Sequence, residues 1–219
     1  MTWKIKIKHR EEQKVSKWSG GTTTELALYP PNSSYIERDF LWRISTATVE
    51  DVKSTFTSLP NYNRIIMPLS GDLLKLHHQN HYDKELKSLE TDAFHGSWIT
   101  TSEGKVQDFN LMFADACGGS IQGYRIQQRL TINMDAKALS GTGEVVTIAL
   151  YILGDTVKVD IPSQNDNLTL VDGDFVTFTG SIADNSLILN MAMEENGGKA
   201  IIVCTTIKYS NQKATENGL

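Results

Sequence analysis

The sequence has 219 residues, 40% hydrophobic and 21% charged, an ordinary globular balance that suits one large domain or two small ones. The formal net charge of −5 argues against nucleic acid as a partner, because gripping a phosphate backbone needs a net basic face. No stretch approaches the ~20 consecutive apolar residues of a membrane helix, so no membrane partner is expected.

In chain order, Met1 to Lys8 alternates Trp3, Ile5 and Ile7 with Lys4, Lys6 and Lys8, which reads as a strand rather than the apolar core of a signal peptide. Gly20-Gly21-Thr22-Thr23-Thr24-Glu25 is too unlike a phosphate loop to be one, since no Gly-Lys-Ser/Thr ending and no helix follow. It predicts a tight turn carrying Thr23 and Glu25. Trp42–Val49, Arg64–Leu69, Asp72–Leu76, Val145–Ile152, Thr156–Ile161, Phe175–Phe178 and Ile201–Ile207 are β-branched or alternating runs and predict strands. Glu50–Ser54 is the one place where a helical turn is expected. The tail Ser210–Leu219 is polar and expected to fray. Cys117 and Cys204 are far apart and form no CxxC, so they are expected to be reduced thiols in a cytoplasmic protein.

Two blocks repeat. Ser70-Gly71-Asp72-Leu73-Leu74-Lys75-Leu76 matches Leu153-Gly154-Asp155-Thr156-Val157-Lys158-Val159 at an offset of 83 residues. Leu86–Ala93 matches Leu168–Phe175 at an offset of 82. Each copy runs strand, Gly-Asp turn, strand, loop, short strand. Glycine would supply the positive φ of the hairpin, and aspartate would bond back to the turn amides. The repeat implies two copies of one small antiparallel barrel.

The Gly-Asp hairpin followed by an acidic turn resembles the strand pattern of cupins. Four strings are more specific: Trp18-Ser19-Gly20-Gly21-Thr22-Thr23-Thr24-Glu25-Leu26 with Tyr29-Pro30, Phe40–Ser45, Asn63-Arg64-Ile65 with Pro68–Gly71, and Asp108-Phe109-Asn110-Leu111-Met112. Together, over about residues 15 to 115, they resemble the HutD/Ves family. The opening string departs from the family pattern in the spacing of Trp18 and in Thr24, where the family often has arginine. The resemblance implies an all-β double cupin, two tandem jelly-roll-like β-barrels in one chain. The expected boundaries are 1–116 for the N-terminal strand region and first barrel, 117–209 for the second barrel and 210–219 for the tail. It also implies a small-ligand-binding protein, with a sensing or regulatory role in histidine utilisation or the stress response.

Metal is the usual chemistry of cupins, held by two histidines one residue apart, a glutamate and a later histidine. Counting back from Gly71, the glutamate place falls near Arg64 and the histidine pair near Ser58 and Pro60, and an arginine there would repel a cation. No histidine follows His95, so no metal and no other cofactor is expected in either barrel. His77-His78-x-x-His81, with Asp83 and Glu85, has the donors for adventitious zinc or nickel but reads as a solvated loop. His95, near Trp98, reads as packed or hydrogen-bonded.

The arginines point elsewhere. Arg64 stands in an apolar run, and an inward guanidinium is costly unless an anion satisfies it. Its planar fork fits a carboxylate with two parallel hydrogen bonds. Arg43 shares a strand face with Ser45, and Asp108 shares one with Asn110. Internal pairing of Arg64 with Asp108 or Glu25 is the competing reading. The candidate ligand-binding residues are therefore Trp18, Thr23, Glu25, Trp42, Arg43, Arg64, Asp108 and Asn110, with Arg64 and Arg43 as anion clamps and Trp18 or Trp42 as an apolar wall. Glu25 is expected to hold an arginine in place. The function this gives is metal-independent binding of a small carboxylate metabolite. Two alternatives stand beside it: a metal-independent isomerase or epimerase using Glu25, Asp108 or His95, and a ligand-free structural module, a homodimer joined through strand edges such as 1–8.

Overall fold

The computed structural model describes residues 3–134, 144–181, 187–194 and 197–210. The expected tail therefore lies, from residue 211 on, outside the described residues. Strands dominate: β1 (Lys4–Lys8), β2 (Lys14–Trp18), β3 (Gly21–Tyr29), β4 (Trp42–Val49), β5 (Lys53–Thr55), β6 (Tyr62–Gly71), β7 (Leu74–His78), β8 (Tyr82–Leu86), β9 (Asp92–His95), β10 (Thr100–Glu103) and β11 (Val106–Ala114). The chain continues with β12 (Gly118–Ile126), β13 (Arg129–Met134), β14 (Val145–Gly154), β15 (Val157–Ile161), β16 (Asp166–Leu170), β17 (Phe175–Ser181), β18 (Leu187–Met193) and β19 (Ala200–Tyr209). The turn expected at Glu50–Ser54 is instead a bend running into β5, whose register opposite β10 claims Ser54 and Thr55.

Contacts divide the chain into two units, Gln13–Cys117 and Met1–Glu12 with Gly118–Leu219. Each unit carries the same two four-stranded sets in the same order. In the first, β4-β11-β6-β9 faces β5-β10-β7-β8; in the second, β12-β19-β14-β17 faces β13-β18-β15-β16. The repeat seen in the sequence is thus a repeat of the whole topology. What differs is the edge: β2 and β3 extend the first unit beyond β4, whereas β1 is added to β17 of the second. The strand Lys4–Lys8, expected with the barrel that follows it, pairs with Phe175–Thr179 instead. Nothing local in the sequence encodes that partner, which lies more than a hundred and sixty residues away.

Burial follows strand position. β7 and β15 bury alternate residues, so one face meets the core and the other water. β14 is held between β17 and β19 and buries seven consecutive residues, which explains its unbroken apolar run. The second unit's core is aliphatic and continuous across both sheets, joining Val146, Ile148 and Leu150 to Val159, Ile161 and Leu189. In the first unit the corresponding cluster is smaller, with Ile66, Leu74, Leu76, Leu86, Phe94 and Val106.

The two Gly-Asp turns superpose in their chemistry. Gly71 and Gly154 adopt φ of +102° and +106°, and a Cβ there would sit 2.3 Å from the Lys105 carbonyl oxygen and 2.5 Å from that of Lys199. Side chains other than glycine are excluded by both conformation and space. The aspartates do not cap their own turns as expected. Asp72 accepts from the Lys105 amide at 3.1 Å and Asp155 from the Lys199 amide at 2.9 Å, tying each hairpin to the strand that closes its unit.

Candidate functional site

The first unit has a half-open cavity of about 300 Å³ between its sheets. β4 lines it with Arg43, Ser45, Ala47 and Val49, every second residue of one face. β11 lines it with Asp108, Asn110 and Met112 by the same alternation, and β6 contributes Arg64. Ser16, Trp18 and Thr23 come from β2 and β3, Tyr35 from the 30–41 loop, and Ser54–Thr57 from β5 and the segment after it. Trp18 is 39% exposed, which places it at the rim.

Two guanidiniums enter this cavity in different states. Arg43 is satisfied: its Nε donates to Glu25 Oε2 at 2.9 Å, its Nη1 donates to Ser45 Oγ at 3.1 Å, and its Cζ lies 4.5 Å from the centre of the Tyr35 ring. Arg64 is 6% exposed and is not satisfied. Its Nη2 reaches Asn110 Oδ1 at a long 3.4 Å, and its Nε has no hydrogen-bond partner. The guanidinium rests on aromatic faces, 4.6 Å from the centre of Phe56 and 5.5 Å from that of Phe94. Among the described residues no carboxylate comes within ion-pair distance of it. Asn110 stands between Arg64 and Asp108, since its Nδ2 donates to Asp108 Oδ1 while its Oδ1 faces the arginine.

Burial sets the electrostatics. It pushes the Asp108 carboxyl up to about 7, outweighing the attraction of Arg64 and the Asn110 hydrogen bond. It lowers Arg64 to about 10, against the pull of Tyr35 and Asp108, so the guanidinium stays charged at neutral pH. The cavity therefore offers a fixed cation with an unused donor, beside a carboxyl poised to be neutral or charged.

Of the residues singled out from the sequence, Trp18, Thr23, Arg43, Arg64, Asp108 and Asn110 come together on the cavity wall. Glu25 stands behind it as the partner of Arg43. Trp42 does not belong: adjacent to Arg43 on β4, it points to the opposite face, where its ring stacks on Tyr29 at 5.6 Å. Tyr35, Phe56 and the hydroxyls of Ser54–Thr57 escaped the sequence reading, because loops carry no periodicity to reveal which way they face. Met112 and Val49 did carry a signal, each two or more even steps from a chosen residue.

The histidines disperse. His77 binds Asp83 at 2.5 Å in solvent, and His81 stacks on Trp98 at 3.7 Å. His78 corrects the expectation of a solvated loop. It is fully buried, with Nδ1 on Thr100 Oγ1 and Nε2 on Asp92 Oδ2, both at 2.8 Å. The signal was present, since His78 continues the inward alternation of Leu74 and Leu76. His95 is hydrogen-bonded to Ser97 Oγ at 2.6 Å and does not line the cavity. Among the described residues no three His, Cys, Asp or Glu side chains are grouped to hold a metal. Nor does any described helix have the length and apolarity to cross a membrane.

Comparison with known proteins adds the lineage. A family model described as HutD matches residues 10–196. A conserved protein of unknown function from Pseudomonas aeruginosa superposes with a TM-score of 0.75 at 21% identity, over 94% of this chain and 99% of that one. HutD from Pseudomonas fluorescens, crystallised in a formate condition, gives 0.64 at 18% identity over 92% and 98%. The pirin YhhW from Escherichia coli, in complex with nickel(II), gives 0.58 at 7% identity over 92% and 98%. The fold is an all-β double cupin.

Proposed function

This chain belongs to the HutD family, and from that premise we propose that it binds a small carboxylate-bearing metabolite in the cavity of the Gln13–Cys117 unit, in a sensing or regulatory role. One observation carries the reading. A guanidinium 6% exposed, with an unpartnered Nε and no carboxylate in ion-pair range among the described residues, has the form of half of an ion pair. A buried charge is tolerated only when paired and hydrogen-bonded, and a carboxylate fits the open edge of the guanidinium fork. Arg43, already held by Glu25 and Ser45, serves as a rigid flank rather than a second clamp. Phe56, Met112 and the rim residue Trp18 supply the apolar surface for the remainder of such a ligand, and Thr23 and Asn110 the polar contacts.

The test is Arg64→Met, which keeps an unbranched apolar stem and removes the charge. Formate is the probe. At a formate concentration one hundred times its Kd, the unaltered protein gains about 2.7 kcal/mol, a rise of about 5–10 °C in Tm for a chain of this size. R64M is expected to show no rise, while its ligand-free Tm equals or exceeds that of the unaltered protein, because an uncompensated buried cation has gone. A formate response of equal size in R64M would sink the assignment.

One observation favours a second reading. A carboxyl raised to about 7 inside a cavity is matched to proton transfer near neutral pH, as the isomerase or epimerase alternative requires. In that case Asp108 is the proton-transfer group, since Glu25 is engaged by Arg43 and His95 lies elsewhere. Incorporation of solvent deuterium into a bound hydroxy acid, lost in Asp108→Asn, would distinguish turnover from binding.

A further inference from the structure

We infer that the cavity selects a ligand carrying a single negative charge and takes up a proton on Asp108 as that ligand enters. The inference rests on the carboxylate-binding reading above and adds to it the charge class of the ligand and a second specificity-determining residue.

The argument is a charge inventory made wall by wall. β4 brings Arg43, and β3 brings Glu25 against it at 2.9 Å, so these two cancel. β6 brings Arg64 and β11 brings Asp108. The 30–41 loop brings Tyr35, whose ring covers Arg43. β2 and the Ser54–Thr57 segment bring hydroxyls and aromatic rings but no charge. β9 brings Phe94 beneath Arg64, and the ionisable pair behind that ring, His78 and Asp92, is turned to Thr100 and Tyr82. What remains uncancelled is Arg64 and Asp108.

These two do not touch. Asn110 separates them and uses both ends of its amide to do so, the carbonyl toward Arg64 and the amino group toward Asp108. Asp108 therefore leaves Arg64 unneutralised on the cavity wall, with its buried Nε still unpartnered. With Asp108 ionised the walls sum to zero, and an entering carboxylate makes the buried site net negative beside a like charge. With Asp108 neutral the walls sum to one positive charge, which one carboxylate cancels. A dianion leaves one net negative charge at the site with Asp108 neutral and two with it ionised, at a cost that nothing on the walls offsets. Binding of a monoanion thus favours the protonated form of Asp108. Its hydroxyl then becomes a donor to the ligand, where the carboxylate would have repelled it.

Linkage gives the sign. Burial already raises the Asp108 carboxyl to about 7. Affinity for a permanently ionised monoanion is full below that pH and falls as pH rises through it, by about tenfold per unit well above it. The experiment is calorimetric titration of the full chain with formate from pH 6 to 9, in pairs of buffers of different ionisation enthalpy. Close to one proton is expected to enter per formate at pH 8.5, and few at pH 6. In Asp108→Asn the formate Kd is expected to be flat across the range, with no proton uptake. Monomethyl succinate, a monoanion, is expected to bind at least about tenfold more tightly at pH 8 than succinate, a dianion of similar size.

A formate affinity that is pH-independent and proton-free in the unaltered protein, yet abolished in R64M, would overturn the inference and leave carboxylate binding standing. Equal affinity for succinate and its monoester would overturn it likewise. Absence of formate heat at every pH would remove the carboxylate reading itself, and the inference with it.

Discussion

Trp3→Ala is expected to destabilise the protein by about 3–5 kcal/mol, the usual range for deleting a buried tryptophan ring. At two to four degrees per kcal/mol for a chain of this size, Tm falls by about 10 °C. Trp3 is buried within the aliphatic core of the second unit, its ring laid against Gly180, where a Cβ would come 3.0 Å from Cε3. A side chain at position 180 would crowd the ring, and with the ring removed Gly180 has no side chain of its own to fill the space. Trp3 also anchors β1 on β17, and β17 becomes an exposed edge if β1 detaches. Trp3→Phe, which keeps most of the apolar contact, is expected to cost less than half as much. Chemical denaturation of the two variants beside the parent decides the matter. A Trp3→Ala midpoint within a degree or two of the parent would mean that β1 is not part of the cooperative unit.

That prediction marks the boundary of what the sequence makes legible. The strands are legible because local alternation writes them: Leu74, Leu76 and Val157, Val159 identify an inward face without help from the rest of the chain. The duplication is legible because Gly71 and Gly154 satisfy the same steric demand against Lys105 and Lys199. The partner of β1 is not, because strand pairing across the chain is settled by which edge is free, a property of the assembled sheet. At the site, Arg64 shows itself as a charge interrupting Ile65, Ile66 and Met67, and Asp108 and Asn110 as polar alternates among apolar residues. Strict alternation also separates Trp42 from Arg43, so its assignment to the cavity contradicts the period that placed its neighbour. Tyr35 and Phe56 have no such period. Their place over the guanidiniums depends on loop paths, held in the case of Tyr35 by neighbours such as Tyr62, which bonds the carbonyls of Arg38 and Phe40.

The second large effect is expected at Asp92. Its carboxylate joins the buried His78 Nε2 at 2.8 Å to the hydroxyl of the partly exposed Tyr82 at 3.0 Å. Burial, then the Asp92 hydrogen bond, raise the Tyr82 phenol to about 12, so it remains a donor throughout the physiological range. Asp92→Ala strands His78 Nε2 inside the fold. A buried polar group left unsatisfied costs about 1–3 kcal/mol, and the substitution is expected to cost about that much through His78, because Tyr82 is exposed enough to turn its hydroxyl to water and keeps its second contact at Ala93. Asp92→Asn keeps one oxygen and the shape, and is expected to lose about half as much. The consequence reaches the cavity by a short route. The His78 ring packs on Phe94 at 4.6 Å, and Phe94 is the partner of Arg64 across the β6–β9 ladder as well as a ring beneath its guanidinium. When His78 loses its anchor, the floor under Arg64 loosens, and the formate-induced rise in Tm is expected to shrink in Asp92→Ala by more than in Asp92→Asn. If Asp92→Ala keeps the parent's Tm, the network contributes nothing net to stability. If its Tm falls while the formate response stays whole, Phe94 holds Arg64 without the help of His78.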